Sequence, residues 1–307
     1  MSIRLPPDPP PIRLMTRLLA ELQTTVLARA IRLFDGDLDR VTIFAVITRD
    51  TYPFGTREGL APTVSAHSLA MSLSRPYETV RRHVHALVDA GWCERRADGV
   101  LASPAELRSP ALTEFLTLVH DAAVRFVADM ARAGVPMPEV GTVRPYHHAA
   151  GVQAAIDLML AVVDTNRRTH RDWLELVLFS TIYAANSRLL NADRELSWHY
   201  ADGRKEPPPS LRMPVRTSAV ARALGLPEAT VRRRLTHLLE DGRVERVGKK
   251  KLLVSEAWLN RPESIATSVR SFSTVRLLLA RLGVNGFPLH DPARAYLAGR
   301  PAPVAFD

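Results

Sequence analysis

Residues 70–95 read AMSLSRPYETVRRHVHALVDAGWCER, and residues 221–246 read ARALGLPEATVRRRLTHLLEDGRVER. At a constant offset of 151 they share Ala70/Ala221, Leu73/Leu224, Pro76/Pro227, Leu87/Leu238 and Gly91/Gly242. Thr79-Val80-Arg81-Arg82 also matches Thr230-Val231-Arg232-Arg233, and Glu94-Arg95 matches Glu245-Arg246. So many identities in so short a window mark an internal repeat. The likeness weakens outward. Ile43, Phe44 and Ile47 match Leu178, Phe179 and Ile182 at an offset of 135, so the second copy carries 16 more residues ahead of its motif. That extra length falls near 194–214, where Pro207-Pro208-Pro209 predicts an exposed loop. Downstream, Val124-Arg125 recurs as Val275-Arg276, and the Arg-x-Gly-Val stretch at 132–135 recurs at 281–284.

Each repeated window resolves into the same parts. Leu69-Ala70 and Leu73 predict a short helix, Ser74-Arg75 a tight turn, and Pro76 the start of a second helix. On that helix Val80, Val84, Leu87 and Val88 fall at i, i+4, i+7 and i+8, which makes one apolar face. The opposite face carries Tyr77, Glu78, Arg81, Arg82 and His85. The second copy buries Val231, Leu235, Leu238 and Leu239 and turns Glu228, Arg232, Arg233 and Thr236 outward. Gly91 and Gly242 stand where a left-handed residue commonly ends a helix. Short strands follow in 92–103 and 243–255, around Asp98-Gly99, read as a hairpin turn, and around Gly248-Lys249-Lys250.

Periodicity elsewhere predicts helices over 12–34, 39–49, 110–132, 152–164, 171–190 and 262–282. Pro136, Pro138, Gly141 and Pro145 break any regular element, which puts a boundary near 145. The expected units are 12–145, with its motif at about 64–103, and 146–297, with its motif at about 215–255. Residues 1–11 and 298–307 are expected to be flexible tails. The predicted fold class is mainly α with small β-hairpin wings: two winged helix-turn-helix units plus long scaffold helices, produced by internal duplication.

Helix, turn, helix, glycine stop and hairpin is the order of a winged helix-turn-helix. The run Leu-x-x-(Pro)-x-x-Thr-Val-Arg-Arg…Leu…Gly…Glu-Arg resembles the DNA-binding domains of bacterial regulators, in the broad class of the MarR-like and cyclic-AMP-receptor-like families. Residues 76–82, Pro-Tyr-Glu-Thr-Val-Arg-Arg, are similar to the Ser-Arg-Glu-Thr-Val-x-Arg pattern of the cyclic-AMP-receptor-like recognition helix. That resemblance implies that Tyr77, Glu78 and Arg82 face bases and Thr79 lies near phosphate. Glutamate can accept from cytosine N4, and arginine can fork onto guanine. Tyr77 stands where the pattern has arginine. In the second copy Glu228, Ala229 and Arg233 fill these places, so the two copies are expected to prefer different half-sites. The candidate DNA-binding set also includes Arg81, His85, Thr230, Arg232, Arg234, Thr236 and the wing cations Arg246, Lys249, Lys250 and Lys251.

Composition fits a polyanion partner. The chain has 307 residues, is 46% hydrophobic and carries a formal net charge of +9 at pH 7. Its cations comprise 37 arginines and four lysines, and arginine suits bidentate contacts to phosphate and guanine. A single cysteine, Cys93, excludes an intrachain disulfide framework and a multi-cysteine zinc site. No apolar run approaches a membrane span, and 1–11 does not read as a secretory signal. A soluble, cytoplasmic, nucleoid-associated protein is the expectation. His147-His148 beside Tyr146 lacks a third ligand at metal spacing. Cys93 beside Trp92 reads as a small buried hydrophobe. No phosphate-cradling loop, His-Glu-x-x-His or Gly-x-Ser-x-Gly occurs. No enzyme, cofactor or metal is therefore expected. The leading expectation is a sequence-specific, duplex-DNA-binding transcription regulator that uses two recognition helices from one chain. A plasmid- or phage-type replication initiator with paired winged helices and a winged-helix protein adaptor stand as alternatives. A homodimer through the scaffold helices is also left open.

Overall fold

The computed structural model describes residues 9–51, 62–141, 144–167 and 169–307; most of the first expected tail lies outside them. The chain opens with α1 (Ile12–Leu33), α2 (Leu38–Thr51), α3 (Ala66–Leu73) and α4 (Tyr77–Asp89), then the hairpin β1 (Cys93–Arg96) and β2 (Gly99–Ala102). The helices α5 (Pro110–Arg132), α6 (His148–Asn166), α7 (Trp173–Asn186), α8 (Arg188–Ala192) and α9 (Arg194–His199) follow. Next come β3 (Val215–Arg216), α10 (Thr217–Leu224), α11 (Glu228–Glu240), β4 (Val244–Val247) and β5 (Lys251–Val254). The last helices are α12 (Glu256–Leu259) and α13 (Pro262–Val284). Helix dominates, and the sheets are small and antiparallel: β1-β2, and β3-β5-β4.

Local chemistry explains the helix starts. Ser109 caps α5 by accepting from the Leu112 amide, and Pro110 takes the first turn, where no amide donor is needed. Asp172 caps α7 by accepting from the Glu175 amide at 3.0 Å.

α1 is buried along most of its length, polar Arg13, Arg17 and Gln23 included, because α5, α7, α13 and the chain at 197–201 pack around it, while Arg29 and Arg32 near its end stay exposed. Its Leu14, Leu18 and Leu22 join α2, α4, α5, α6 and α13 in the larger core. Its Ala20 and Ile31 belong to a second core with α7, α10, α11, β4 and β5. Val152 and Leu158 of α6 and Phe272 and Leu279 of α13 pack into the larger core. That core therefore draws on both sides of residue 145.

Several expectations are corrected. The predicted helix 171–190 breaks at Ser187, because the Asn186 side chain leaves the helix to serve the wing sheet. Its Nδ2 donates to Met213 O at 2.7 Å and Leu252 O at 3.2 Å, and its Oδ1 accepts from the Val254 amide at 2.9 Å. The stretch 194–214, expected as a loop, contains α9 and is pinned to α1. Arg17 donates to Ser197 O at 2.9 Å and Tyr200 O at 2.7 Å, and Ala201 O accepts the Arg13 and Leu14 amides. β3, at two residues, is too short to carry any periodicity in the sequence.

Gly99 is not a turn residue either. It opens β2 opposite Arg96, and a Cβ there would lie 2.7 Å from Val64 O, so close backbone approach is what requires glycine.

Residues 298–307 are docked rather than loose. Asp121 accepts the Leu297, Ala298 and Gly299 amides at 2.9, 2.8 and 3.1 Å. Arg300 lies 2.7 Å from Asp129, and Phe306 packs against the second core. The buried His120 steadies Asp121 by donating from Nδ1 at 2.7 Å, while the Tyr146 hydroxyl donates to its Nε2 at 2.6 Å.

Candidate nucleic-acid interface

Two short helix pairs, with the β4–β5 hairpin behind the second, carry the residues the sequence singled out for DNA. α3 leads into a turn at Ser74 with φ +48°, and α10 into one at Gly225 with φ +68°. Pro76 and Pro227 then stand as the residues capping α4 and α11. Val80, Val84 and Leu87 are buried beneath α4, and Val231, Leu235 and Leu238 beneath α11. Val88 and Leu239 sit half-buried at the margins. Gly91 and Gly242 end the helices at φ +80° and +66°, as expected of left-handed stops.

On the outward face of α4, Tyr77, Glu78, Arg81, Arg82 and His85 are exposed, and Thr79 is half-buried. Glu78 accepts from Arg81 Nε at 2.9 Å. Arg81 and Arg95 both reach His85 Nε2 at 3.5 Å, which joins the helix to the first wing. Arg95 is the repeat counterpart of Arg246 and belongs with the candidate set. The repeat itself was the signal that would have included it. Arg82 makes no ion pair with any described residue.

On α11, Glu228 pairs with Arg232 at 2.6 Å, and Arg233 and Thr236 stand exposed. Thr230 is half-buried at the helix start. Arg246, Lys249, Lys250 and Lys251 are exposed along the second wing, and their side chains form no ion pair with any described residue. Arg234 departs from the set. It lies beside the buried face of α11, half-buried, with its guanidinium 2.7 Å from Asp172 at the head of α7. One turn on, His237 Nδ1 lies 3.1 Å from the fully buried Glu175. These two contacts fasten α11 to the scaffold and leave Arg232, Arg233 and the wing cations facing out.

The remaining candidates have structural settings. Burial pushes the Cys93 thiol up to about 12, away from thiolate chemistry. His147 caps α6, and its ring stacks on His148 at 4.5 Å. Among the described residues no group of three His, Cys, Asp or Glu could hold a metal ion, and no helix is long and apolar enough to cross a membrane.

Residues 210–248 match the IclR helix-turn-helix domain. This span runs from just before β3 through α10 and α11 to the end of β4. No curated protein and no solved structure matches the chain. The matched span is the second of the two helix pairs, and the type matched is IclR. The second motif is thus similar to the IclR-type helix-turn-helix, a DNA-binding domain of transcription regulators.

Proposed function

We propose that the chain is a sequence-specific, DNA-binding transcription regulator that presents both α4 and α11 to one asymmetric duplex site. The observation that carries this is the outward face of the IclR-type domain. There Arg233, Arg246 and Lys249–Lys251 stand exposed and free of ion pairs with described residues, while Arg234 and His237 hold the helix to the scaffold. Free cations on a recognition helix and its wing suit base edges and phosphates respectively.

The first motif has the same order of elements and an equally unpaired Arg82. Its reading face differs: Tyr77-Glu78 stands where the second has Glu228-Ala229. Two motifs in one chain remove the need for a palindromic operator, and shared scaffold helices fix their separation. A binding role, not catalysis, follows from this assignment. A second reading, with the first motif as a protein-binding platform, is favoured by its wing tip, where Ala97-Asp98 supplies no cation.

Footprinting on selected sites tests the proposal. Two motifs one groove turn apart protect about 20–25 base pairs, and a pair of chains using four would protect about twice that. Arg82→Ala and Arg233→Ala should each cost about 1–3 kcal/mol at a different half-site. A footprint indifferent to Arg82 would leave the second motif as the sole reader.

A further inference from the structure

A cleft of about 140 Å³ opens where the α3–α4 turn meets the connection between α6 and α7. Among the described residues three guanidiniums border it: Arg75 from the turn, Arg167 from the end of α6 and Arg171 from the connection. Arg75 lies 4.5 Å above the Trp173 ring and 3.0 Å from Asp39. Arg167 lies 2.6 Å from Asp164 and donates to the Ser74 hydroxyl. Arg171 lies 3.5 Å from Asp241. All three pairs are solvated, and solvated pairs hold their arginines weakly.

His170, the fourth member, is only 7% exposed. Arg243 Nη1 lies 3.1 Å from its Nδ1. A guanidinium can only donate, so Nδ1 accepts and the ring proton sits on Nε2. That Nε2–H is buried and has no hydrogen-bond partner among the described residues, and the same holds for Arg75 Nε. Buried donors without acceptors are rare and call for an explanation. Burial, reinforced by Arg243, pushes the imidazole down to about 3, so the ring stays neutral and keeps this donor at neutral pH. Among the described lining residues the one carboxylate, Asp172, is committed to Arg234 at 2.7 Å and to the Glu175 amide at 3.0 Å. Donors therefore outnumber free acceptors, which is the complement of an oxyanion.

We propose that this cleft binds a small metabolite bearing a dianionic phosphomonoester group, held by Arg75, Arg167, Arg171 and His170. Its consequence for DNA rests on the regulator reading above. Arg75 belongs to the turn that sets α4, and Arg171 pairs with Asp241, the residue that caps the end of α11. A ligand that recruits both arginines loosens Asp39 and Asp241 together, and so bears on the seats of both candidate recognition helices.

Inorganic phosphate is the probe. The full chain is titrated calorimetrically without DNA, at constant ionic strength, against chloride and against malonate as a dicarboxylate. Saturable phosphate binding is expected, with a rise in Tm that chloride does not produce. Arg167→Gln and Arg171→Gln, with circular dichroism confirming the fold, should each weaken it at least about tenfold, the loss of one charge-assisted contact. Duplex affinity should then respond to phosphate in the wild type and not in these variants. Equal responses to phosphate and chloride, unaltered binding in both variants, or tighter malonate binding would each overturn the phosphomonoester site. Competition between duplex and phosphate for the variant-sensitive site would assign the cleft to the DNA path instead. If phosphate binds as expected but no duplex does, the ligand site stands and the regulator reading falls.

Discussion

The α3–α4 and α10–α11 helix pairs bend at residues 74 and 225 by different means. Ser74 adopts φ +48° in the first, a left-handed conformation that costs an L-residue about 1–2 kcal/mol. Gly225 adopts φ +68° in the second at little cost, and its missing side chain makes room for Arg32 of α1. Arg32 uses that room to donate to Arg222 O and Ala223 O at 2.8 and 2.9 Å. The turn of the first motif is held instead from α6, by Arg167 on Ser74. Beneath the helices the contrast continues: α4 packs into the large shared core, and α11 into the smaller one with α7. On the surface, the second wing ends in Lys249–Lys251 and the first in Ala97-Asp98. The two pairs share the buried positions and the exposed Arg81-Arg82 and Arg232-Arg233, and differ at the turn residue and at the wing tip.

The largest effect expected from breaking this comparison is in the cores. Leu87→Ala and Leu238→Ala each delete a fully buried side chain and should cost about 2–5 kcal/mol. Hydrogen exchange separates them. Leu238→Ala should lower protection in α10, α11 and β5 first, and Leu87→Ala should lower it in α4 and the scaffold. Identical profiles would show that the two cores unfold as one.

The wings come next. Replacing Lys249, Lys250 and Lys251 with alanine should reduce the slope of log K against log salt by up to about 2.7, at about 0.9 per phosphate contact. Lysine in place of Ala97 and Asp98 in that variant should restore part of the slope, because the proposal puts the first motif on the duplex as well; no recovery would take the first wing off the DNA. An unchanged slope in the triple alanine variant would remove the second wing from the interface.

A pH titration sharpens the difference in how the motifs are seated. His170 holds Arg243 at the foot of the second motif, and its folded pKa is depressed to about 3 by burial and by Arg243. The unfolded chain binds that proton near 6.5, so the contribution to stability is full above about 6.5 and is lost as pH falls toward 3. Between pH 7 and 5 the loss should be about 2 kcal/mol by denaturant titration. His170→Gln should flatten that slope. A slope that persists would assign it to other groups, such as His120, whose pKa burial also lowers.

The smallest effects lie in the turns. Gly225→Ala should cost about 1–2 kcal/mol, from the left-handed backbone and from a Cβ placed 2.8 Å from Arg32 Cγ. Ser74→Gly should change stability by less than about 1 kcal/mol, because relief of strain is offset by a more flexible unfolded chain. Equal costs at both positions would mean that the turns are equivalent after all.

Much of the candidate interface was legible from residue spacing. Val80, Val84, Leu87 and their counterparts fixed which face of each helix turns inward, and so which of Tyr77, Glu78, Arg82, Glu228, Arg232 and Arg233 stand outside. Arg234 was misplaced because its partner, Asp172, lies 62 residues away in sequence, and no helical spacing reports that. Gly99 was given a turn role because Asp-Gly is a strong local signal, yet Val64 across the bridge is what excludes a side chain.

By itself, the sequence determined the long helices over 12–34, 110–132 and 262–282, the glycine stops at Gly91 and Gly242 and the apolar faces of α4 and α11, since each depends on residues within a few positions of one another. Only the tertiary structure decided that α1 serves two cores, that Asn186 ties α7 to the second wing, and that residues 298–307 dock on Asp121. It alone also gathered Arg75, Arg167, Arg171 and His170 around one cleft. The reason is physical. Apolar periodicity and backbone preference are written locally in the chain, whereas a buried polar group finds its partner wherever folding brings a complementary one within about 3 Å.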